Sequence, residues 1–382
     1  TAVSLVYSFF AKLHEEIAYY IPDRYKEGYG ISKAGVEYAI DNGFGLIIAL
    51  DCGIKAIDHV DFAKKNNIDF IICDHHRPGN ELPKASAVLD PKREDCDYPF
   101  KELCGCGIGF KLIQAYSSTI GLSDSDLHVY LDLVAIAIAA DMVPINNENR
   151  ILCYFGLKQI NSNPRMGIVP FIKAAKKSKF NVSDLVFSIA PKINAAGRIH
   201  SGKKAVDLLI SDSLQTANEI SEQINNYNLE RRSIDKTITE QALEMIASNA
   251  ELQNKNTTVL YSPNWHKGVI GIVASRLMET YYRPTIILSK SGDVVSGSAR
   301  SVRDFDVYNA LQACTNEILQ FGGHMYAAGL TIAEDKIVEF SNKFESVVQQ
   351  TIRPEQLIQQ IEIDKEIEFQ ELEPDILRNP LP

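Results

Sequence analysis

The sequence predicts an α/β protein in which a parallel-sheet domain is joined by a long helix to a smaller α/β domain. Three observations carry that prediction. Apolar strand-like runs at residues 46–51, 70–76 and 87–91 alternate with a helical stretch at 55–66, the order of a parallel βαβ sheet. Between Gly202 and Pro263 there is no glycine or proline, and Ala217, Ile220, Ile224, Tyr227, Ile234, Ile238, Ala242 and Met245 fall at helical spacing. A second alternation follows, with strands at 257–261, 285–288, 294–299 and 329–332 and helices at 267–281, 307–319 and 336–349. The chain therefore divides into 1–202, a connecting helix over 203–254, a second domain over 255–352 and an acidic tail over 353–382.

Composition narrows the class. A chain of 382 residues exceeds one ordinary core. No apolar run reaches the roughly 18 residues of a membrane span, and no basic-then-apolar leader opens the chain. The seven cysteines are scattered without a CxxC knuckle, which fits reduced thiols in a cytoplasmic protein. Cys104 and Cys106, the one close pair, read as packing rather than zinc ligands. A net charge of −10 argues against coating nucleic acid with the whole surface. It leaves room for a local groove. Residues 165–204 hold nine Lys or Arg against one acid, whereas residues 333–382 hold twelve acids against five bases. That asymmetry suits a polyanion channel on a repulsive body, although the lysines at 173–179 alone read as a solvated helix face.

Taken in order, the chain opens at Thr1 with an apolar helix-like run and no capping segment, so residues are expected upstream. The turn-rich stretch from Ile21 to Gly30 contains Arg24 and Glu27, either an exposed ion pair or part of a site. The strand at 46–50 ends in Asp51, and the strand at 70–73 runs directly into Asp74-His75-His76. In a right-handed parallel unit both ends emerge at the same carboxyl edge. A third strand, Ala87-Val88-Leu89, ends in Asp90. The glycines at 105, 107 and 109 open a helix and are read as close packing, because no strand immediately precedes them. The helix over 126–140 is apolar nearly all round and ends at Asp141 before Pro144. An aspartate at the negative end of a buried helix calls for a compensating cation.

The bridging helix, about 35 residues at 1.5 Å each, would reach roughly 50 Å and so span two domains. A coiled-coil dimer competes with that reading, but Arg231 interrupts the seam and an intramolecular bridge is favoured. Glycine-rich loops in the second domain each carry a base or imidazole: Trp265-His266-Lys267-Gly268, residues 296–301, and Gly322-Gly323-His324. Each alone is explained by tight turns. Together they fit amides and cations closing on phosphates.

Asp51, Asp74, His75, His76 and Asp141 form a mixed carboxylate and imidazole set that suits Mn²⁺ better than Ca²⁺. Paired ions at such sites activate a water and stabilise the leaving oxygen of a phosphodiester, so phosphoester hydrolysis is the expected chemistry. The Asp74-His75-His76 run resembles the signature of the DHH phosphoesterase superfamily. The runs Asp51-Cys52-Gly53-Ile54, Asp141-Met142-Val143-Pro144, Ile193 to Arg198, Asn264 to Gly271, Ser296 to Ser301 and Gly322-Gly323-His324 extend the resemblance toward its bacterial single-strand-specific exonucleases.

That resemblance implies a DHH domain followed by a DHHA1-type domain. It implies a 5′-to-3′ exonuclease of DNA repair and recombination that acts on single-stranded DNA with Mn²⁺ or Mg²⁺. Asp74, His75 and His76 would be catalytic, with Asp51 and Asp141 as further metal ligands. Arg24, Arg198, Ser298 and Arg300 would contact phosphates, His266 and His324 would line the cleft, and Gly322 and Gly323 would approach the substrate. A first acidic motif would precede Thr1 and an OB-type domain would follow. A cytoplasmic monomer meeting a single-strand-binding protein and a helicase is the expected setting. A phosphodiesterase of short oligonucleotides or cyclic dinucleotides, or a non-catalytic DNA-binding relative, are the alternatives.

Overall fold

The strands whose ends carry the carboxylates pair as expected. In the computed structural model, which describes residues 1–28, 30–361, 363 and 366–368, β1 (Leu46–Leu50), β2 (Asp69–Cys73) and β3 (Ala87–Leu89) form a parallel sheet in the order β1-β2-β3. Leu50 pairs with Cys73 and Cys73 with Leu89, so Asp51, Asp74 and Asp90 leave the sheet side by side. Pairing continues one step further: Asp51 N donates to Cys73 O at 2.8 Å and Asp74 N to Leu89 O at 3.0 Å.

Both sheet faces are covered, as a parallel sheet requires. On one side Val36, Ala39, Val60 and Ala63, from helices Lys33–Asp41 and Ile57–Lys65, pack on Phe70 and Ile72. On the other lie helices Ala2–Phe10, Gly105–Thr119 and Leu131–Asp141. The last is buried at every position from Leu131 to Ala139. Asp132 is tolerated there because Arg165 grips it with two bonds of 2.6 and 2.7 Å. The helix expected from residue 126 begins as a 3₁₀ turn, Asp124–Tyr130, and becomes α-helical only at Leu131. Cys104 and Cys106 are buried; the Cys104 sulfur accepts from Gly107 N at 3.3 Å, which is packing and capping. Beyond β1 no strand pairs among the described residues, and a groove of about 610 Å³ lined by Val3, Val6, Phe10, Leu46 and Ile48 runs there.

The bridging helix spans Leu214–Ala247, 34 residues, rather than the whole of 203–254. Lys203–Leu209 is a separate helix, and Ser213 starts the long one by accepting from Thr216 N at 3.3 Å. Ala217 and Ile224 join the first domain's core, while Ile238, Ala242 and Ile246 pack with Ile270, Val273 and Leu277 of the second. The helix is therefore an intramolecular bridge.

The second domain is a five-stranded sheet, order β4-β5-β6-β8-β7, with strands β4 (Thr258–Ser262), β5 (Thr285–Ser291), β6 (Val294–Arg300), β7 (Gln320–His324) and β8 (Ala327–Ile332). Only β4 and β5 are parallel. The expected Gly322-Gly323-His324 loop is in fact edge strand β7, held by β8. The helix expected over 307–319 closes early, as Val307–Gln312. Most of the acidic tail expected over 353–382 lies outside the described residues. No helix among the described residues is long and apolar enough to cross a membrane.

Candidate metal centre

Three elements bring the predicted ligands together. β1 ends in Asp51, whose φ of +64° puts a non-glycine residue in the left-handed region and turns its side chain off the strand path. β2 ends in Asp74-His75-His76, and helix Leu131–Asp141 delivers Asp141 beside them. The His75 Nε2 lies 3.2 Å from Asp51 Oδ1 and 3.4 Å from Asp141 Oδ2. Asp51, His75 and His76 each offer one ligand atom, all within 4.8 Å of one another.

One imidazole nitrogen between two carboxylates must carry either a proton or a cation to be stable. His75 is buried, and its Nδ1 has no hydrogen-bond partner. The donor set of carboxylate oxygen and imidazole nitrogen fits a divalent ion of the hard-to-borderline kind. Cys52 and Cys73 stand nearby, and burial pushes both thiols up to about 12.

Asp74 does something else. Its carboxylate is 1 % exposed and accepts from Ile54 N (2.9 Å), His75 N (2.8 Å), His76 N (3.2 Å) and His76 Nδ1 (2.7 Å). Burial alone would raise its pKa; the hydrogen bond and charge of His76, with the amides, outweigh it and hold it near 2. The Asp74 hydrogen bond in turn raises His76 against the effect of burial. With Nδ1 engaged, His76 presents Nε2 outward. Asp74 thus sits one step behind the ligand atoms, whereas its sequence position suggests a place among them. Asp141 is raised by burial, with the Asp51 charge adding to it.

Asp90 is legible in the sequence as a strand-end acid, but nothing there assigns it to the site. It is 2 % exposed, and burial raises its carboxyl to about 6, with the Asp74 charge adding. Its Oδ2 has no partner.

The second domain faces this centre unevenly. His324 lies across the cleft, where His76 and Asp141 are among the charges that act on it; burial, first, lowers its pKa. Ser298 and Arg300 form one cluster on β6, with Arg300 Nη1 donating to Ser298 Oγ at 3.0 Å and Nε to Ser275 Oγ at 3.1 Å. Arg24 lies against Gly197, its Cζ 3.8 Å from where a Cβ would stand, and Arg198 donates to Gly268 O at 3.2 Å. His266, expected to line the cleft, packs its ring edge-on against Tyr25 at 5.6 Å, in the seam between domains. Sequence reasoning places Lys267 in a glycine-rich loop but misses its contact with Tyr25; Lys267 Nζ donates to Tyr25 O at 3.2 Å across that seam. Nothing in composition or spacing pairs residues 242 positions apart.

Gly105 explains the glycines that open the helix after Cys104. A Cβ there would fall 2.1 Å from Asp51 Oδ1 and 2.6 Å from Asp51 Cβ. Gly105→Ala should gain about 1 kcal/mol of helix propensity, yet Asp51 must move. Mn²⁺ affinity measured by calorimetric titration is expected to fall about tenfold or more; an unchanged affinity would remove Asp51 from the site.

Comparison with known proteins finds relatives of both domains. The DHH family, N-terminal domain, matches residues 1–138 and the DHHA1 domain matches residues 254–350. The chain is 36% identical over 368 residues to the single-stranded-DNA-specific exonuclease RecJ of Bacillus subtilis, covering 95% of this chain and 46% of that protein. It therefore spans about half that relative's length. The crystal structure of RecJ in complex with Mn²⁺ from Thermus thermophilus superposes with a TM-score of 0.81 at 26% identity, over 92% of this chain and 50% of that one. A structure of exonuclease RecJ bound to manganese gives 0.78 at 28% identity, over 94% and 89%.

Proposed function

We propose, from the premise that this chain belongs to the DHH family and closely resembles RecJ, that it is the hydrolytic core of a divalent-metal-dependent, single-stranded-DNA-specific exonuclease. The observation that carries this is the His75 imidazole held between Asp51 and Asp141, contributed by three separate elements at a strand-end edge. We assign the core to residues 1–202 and 255–352, with 203–254 as the connection.

Manganese or magnesium, when bound, supplies an acidified water and a Lewis acid for phosphoryl oxygens. Asp51, His75, His76 and Asp141 would hold it. Asp74 fixes the His76 ring through Nδ1 and so aims the other nitrogen at the cleft. Arg24, Arg198, Ser298 and Arg300 bind the phosphates flanking the scissile bond, and His324 faces the reacting phosphate from the second domain. Gly322 and Gly323, lacking side chains on an edge strand, let the substrate backbone approach. Attack at the terminal linkage releases a 5′-mononucleotide, and cleavage proceeds 5′ to 3′. A cleft walled by two domains admits one strand and not a duplex. Roles in repair and recombination, and encounters with a single-strand-binding protein and a helicase, follow from the RecJ likeness.

The test uses the natural full-length polypeptide with Mn²⁺ and labelled DNA. Single strands should be degraded about 100-fold faster than blunt duplex, a discrimination of roughly 2.7 kcal/mol. Equal rates would overturn strand selection. Cleavage confined to dinucleotides would establish the short-oligonucleotide alternative instead.

A further inference from the structure

The bridging helix carries its charge unevenly. Of its side chains six are acidic and three basic, and the bases, Arg231, Arg232 and Lys236, lie at its middle. That is where the helix passes between cores: Tyr227 still packs with the first domain, and Ile234 already packs with the second. The cations thus stand where the helix leaves one core and enters the other.

Lys236 pairs with Glu240 at 3.8 Å on the same helix, but among the described residues no carboxylate makes an ion pair with Arg231 or Arg232. Asp235, one turn from Arg231, accepts from Arg276 Nη2 of the second domain at 2.7 Å. Glu230 faces His200 Nε2 at 3.5 Å. Arg231 donates only to Asn228 Oδ1, at 3.1 Å on its own helix, among the described bonds, and its buried Nε has no partner. Arg232 is exposed. Helix Ala190–Ile199 brings Lys192 and Arg198 alongside, with Lys192 Nζ 4.9 Å from the Phe171 ring centre. Burial first lowers both Arg231 and Lys192. Neighbouring cations lower them further: Arg232, Arg198 and Arg276 act on Arg231 against the pull of Asp235, and Arg232 acts on Lys192. Cations crowded against one another at a domain junction are stable when an anion joins them.

We propose that Arg231, Arg232 and Lys192 form a second phosphate subsite, which takes the phosphodiester backbone of a nucleic-acid strand beyond the nucleotides held at the metal centre. Arg198 belongs to both groups and makes the basic surface continuous from the cleft to the bridging helix. The subsite makes affinity depend on strand length: a dinucleotide ends before it, whereas a long strand reaches it. This inference rests on the single-strand reading above and extends it to a specificity for length.

Arg232→Ala carries the test, because Arg232 is exposed while Arg231 is half-buried. Affinity for a labelled oligothymidylate of about 20 nucleotides is measured by fluorescence anisotropy in EDTA over a range of salt, on the full-length polypeptide. Each single-strand phosphate contact contributes about 0.7 to the slope of log K against log salt. Arg232→Ala should lower the slope by about 0.7, Arg231→Ala/Arg232→Ala by about 1.4, and Arg232→Lys should leave it unchanged. The affinity advantage of the long strand over a tetranucleotide should shrink in parallel. An unaltered slope in a variant of unaltered Tm overturns the subsite alone. A lowered slope that Arg232→Lys does not restore, with a lowered Tm, marks a structural role and also overturns it. Failure of the unmodified protein to bind the strand overturns the proposed function itself.

Discussion

Replacing His75 by alanine is expected to lower divalent-dependent cleavage of single-stranded DNA about a thousandfold, while the protein stays folded. The imidazole reaches both carboxylates, 3.2 Å from Asp51 and 3.4 Å from Asp141. Without it the acids face each other unmediated, and the remaining donors come from fewer sides. A metal ion contributes several kcal/mol to phosphoryl transfer, and about 4 kcal/mol corresponds to a factor near 10³ in rate. Mn²⁺ affinity should drop by about 100-fold or more, since even removing a group that merely orients a ligand costs 10 to 100. Stability should change little, because Nδ1 makes no hydrogen bond and the Nε2 contacts that are lost are with carboxylates about half exposed to solvent, where such contacts contribute little. Turnover, calorimetric Mn²⁺ titration and thermal unfolding of the same variant separate these effects. Activity within tenfold of the unmodified enzyme would remove His75 from the metal centre.

Much of this site is legible in the sequence because backbone topology alone decides it. Parallel strands joined by a helix must end at one edge, so apolar runs and their terminal acids suffice to bring Asp51 and Asp74 together. Asp141 is legible from a dipole argument: a carboxylate ending a buried helix needs a cation. What the sequence does not encode legibly is side-chain orientation. Whether Asp74 turns toward the ion or back toward amide groups depends on Ile54, twenty residues upstream and paired with it only in the folded chain. The contact of His266 with Tyr25 escapes for the same reason, since the two lie 241 positions apart.

Elements that sequence reasoning misplaces have different causes. β7 reads as a loop because glycine disfavours strands; its pairing with β8 overrides that local preference. The segment 203–254 assigned to the bridging helix overruns it because the absence of glycine and proline is not the only stop signal. Ser211-Asp212-Ser213 holds the cap that begins it, and the bond from Thr216 N to Ser213 Oγ shows where.

The role of Asp74 as a support, one step removed from the ligands, has its own consequence. Asp74→Ala is expected to destabilise the first domain, which His75→Ala is not. The Asp74 carboxylate satisfies the backbone amides of Ile54, His75 and His76 together with His76 Nδ1. Deleting it strands buried donors, each at about 1–3 kcal/mol, so a loss of roughly 4 kcal/mol in urea unfolding is expected. Asp74→Asn should lie between the two, because its Oδ1 can keep the bonds from residues 75 and 76 while its amide nitrogen must face the Ile54 N–H, donor against donor. Both variants should also lose activity, since His76 is no longer aimed. The two roles predict opposite pairings of the measurements. A positioning carboxylate loses stability in the absence of metal, and a true ligand, relieved of repulsion from Asp51 and Asp141, gains it. Urea unfolding of Asp74→Ala in EDTA therefore decides the matter, and a variant that is inactive yet more stable without metal would return Asp74 to the ligand set.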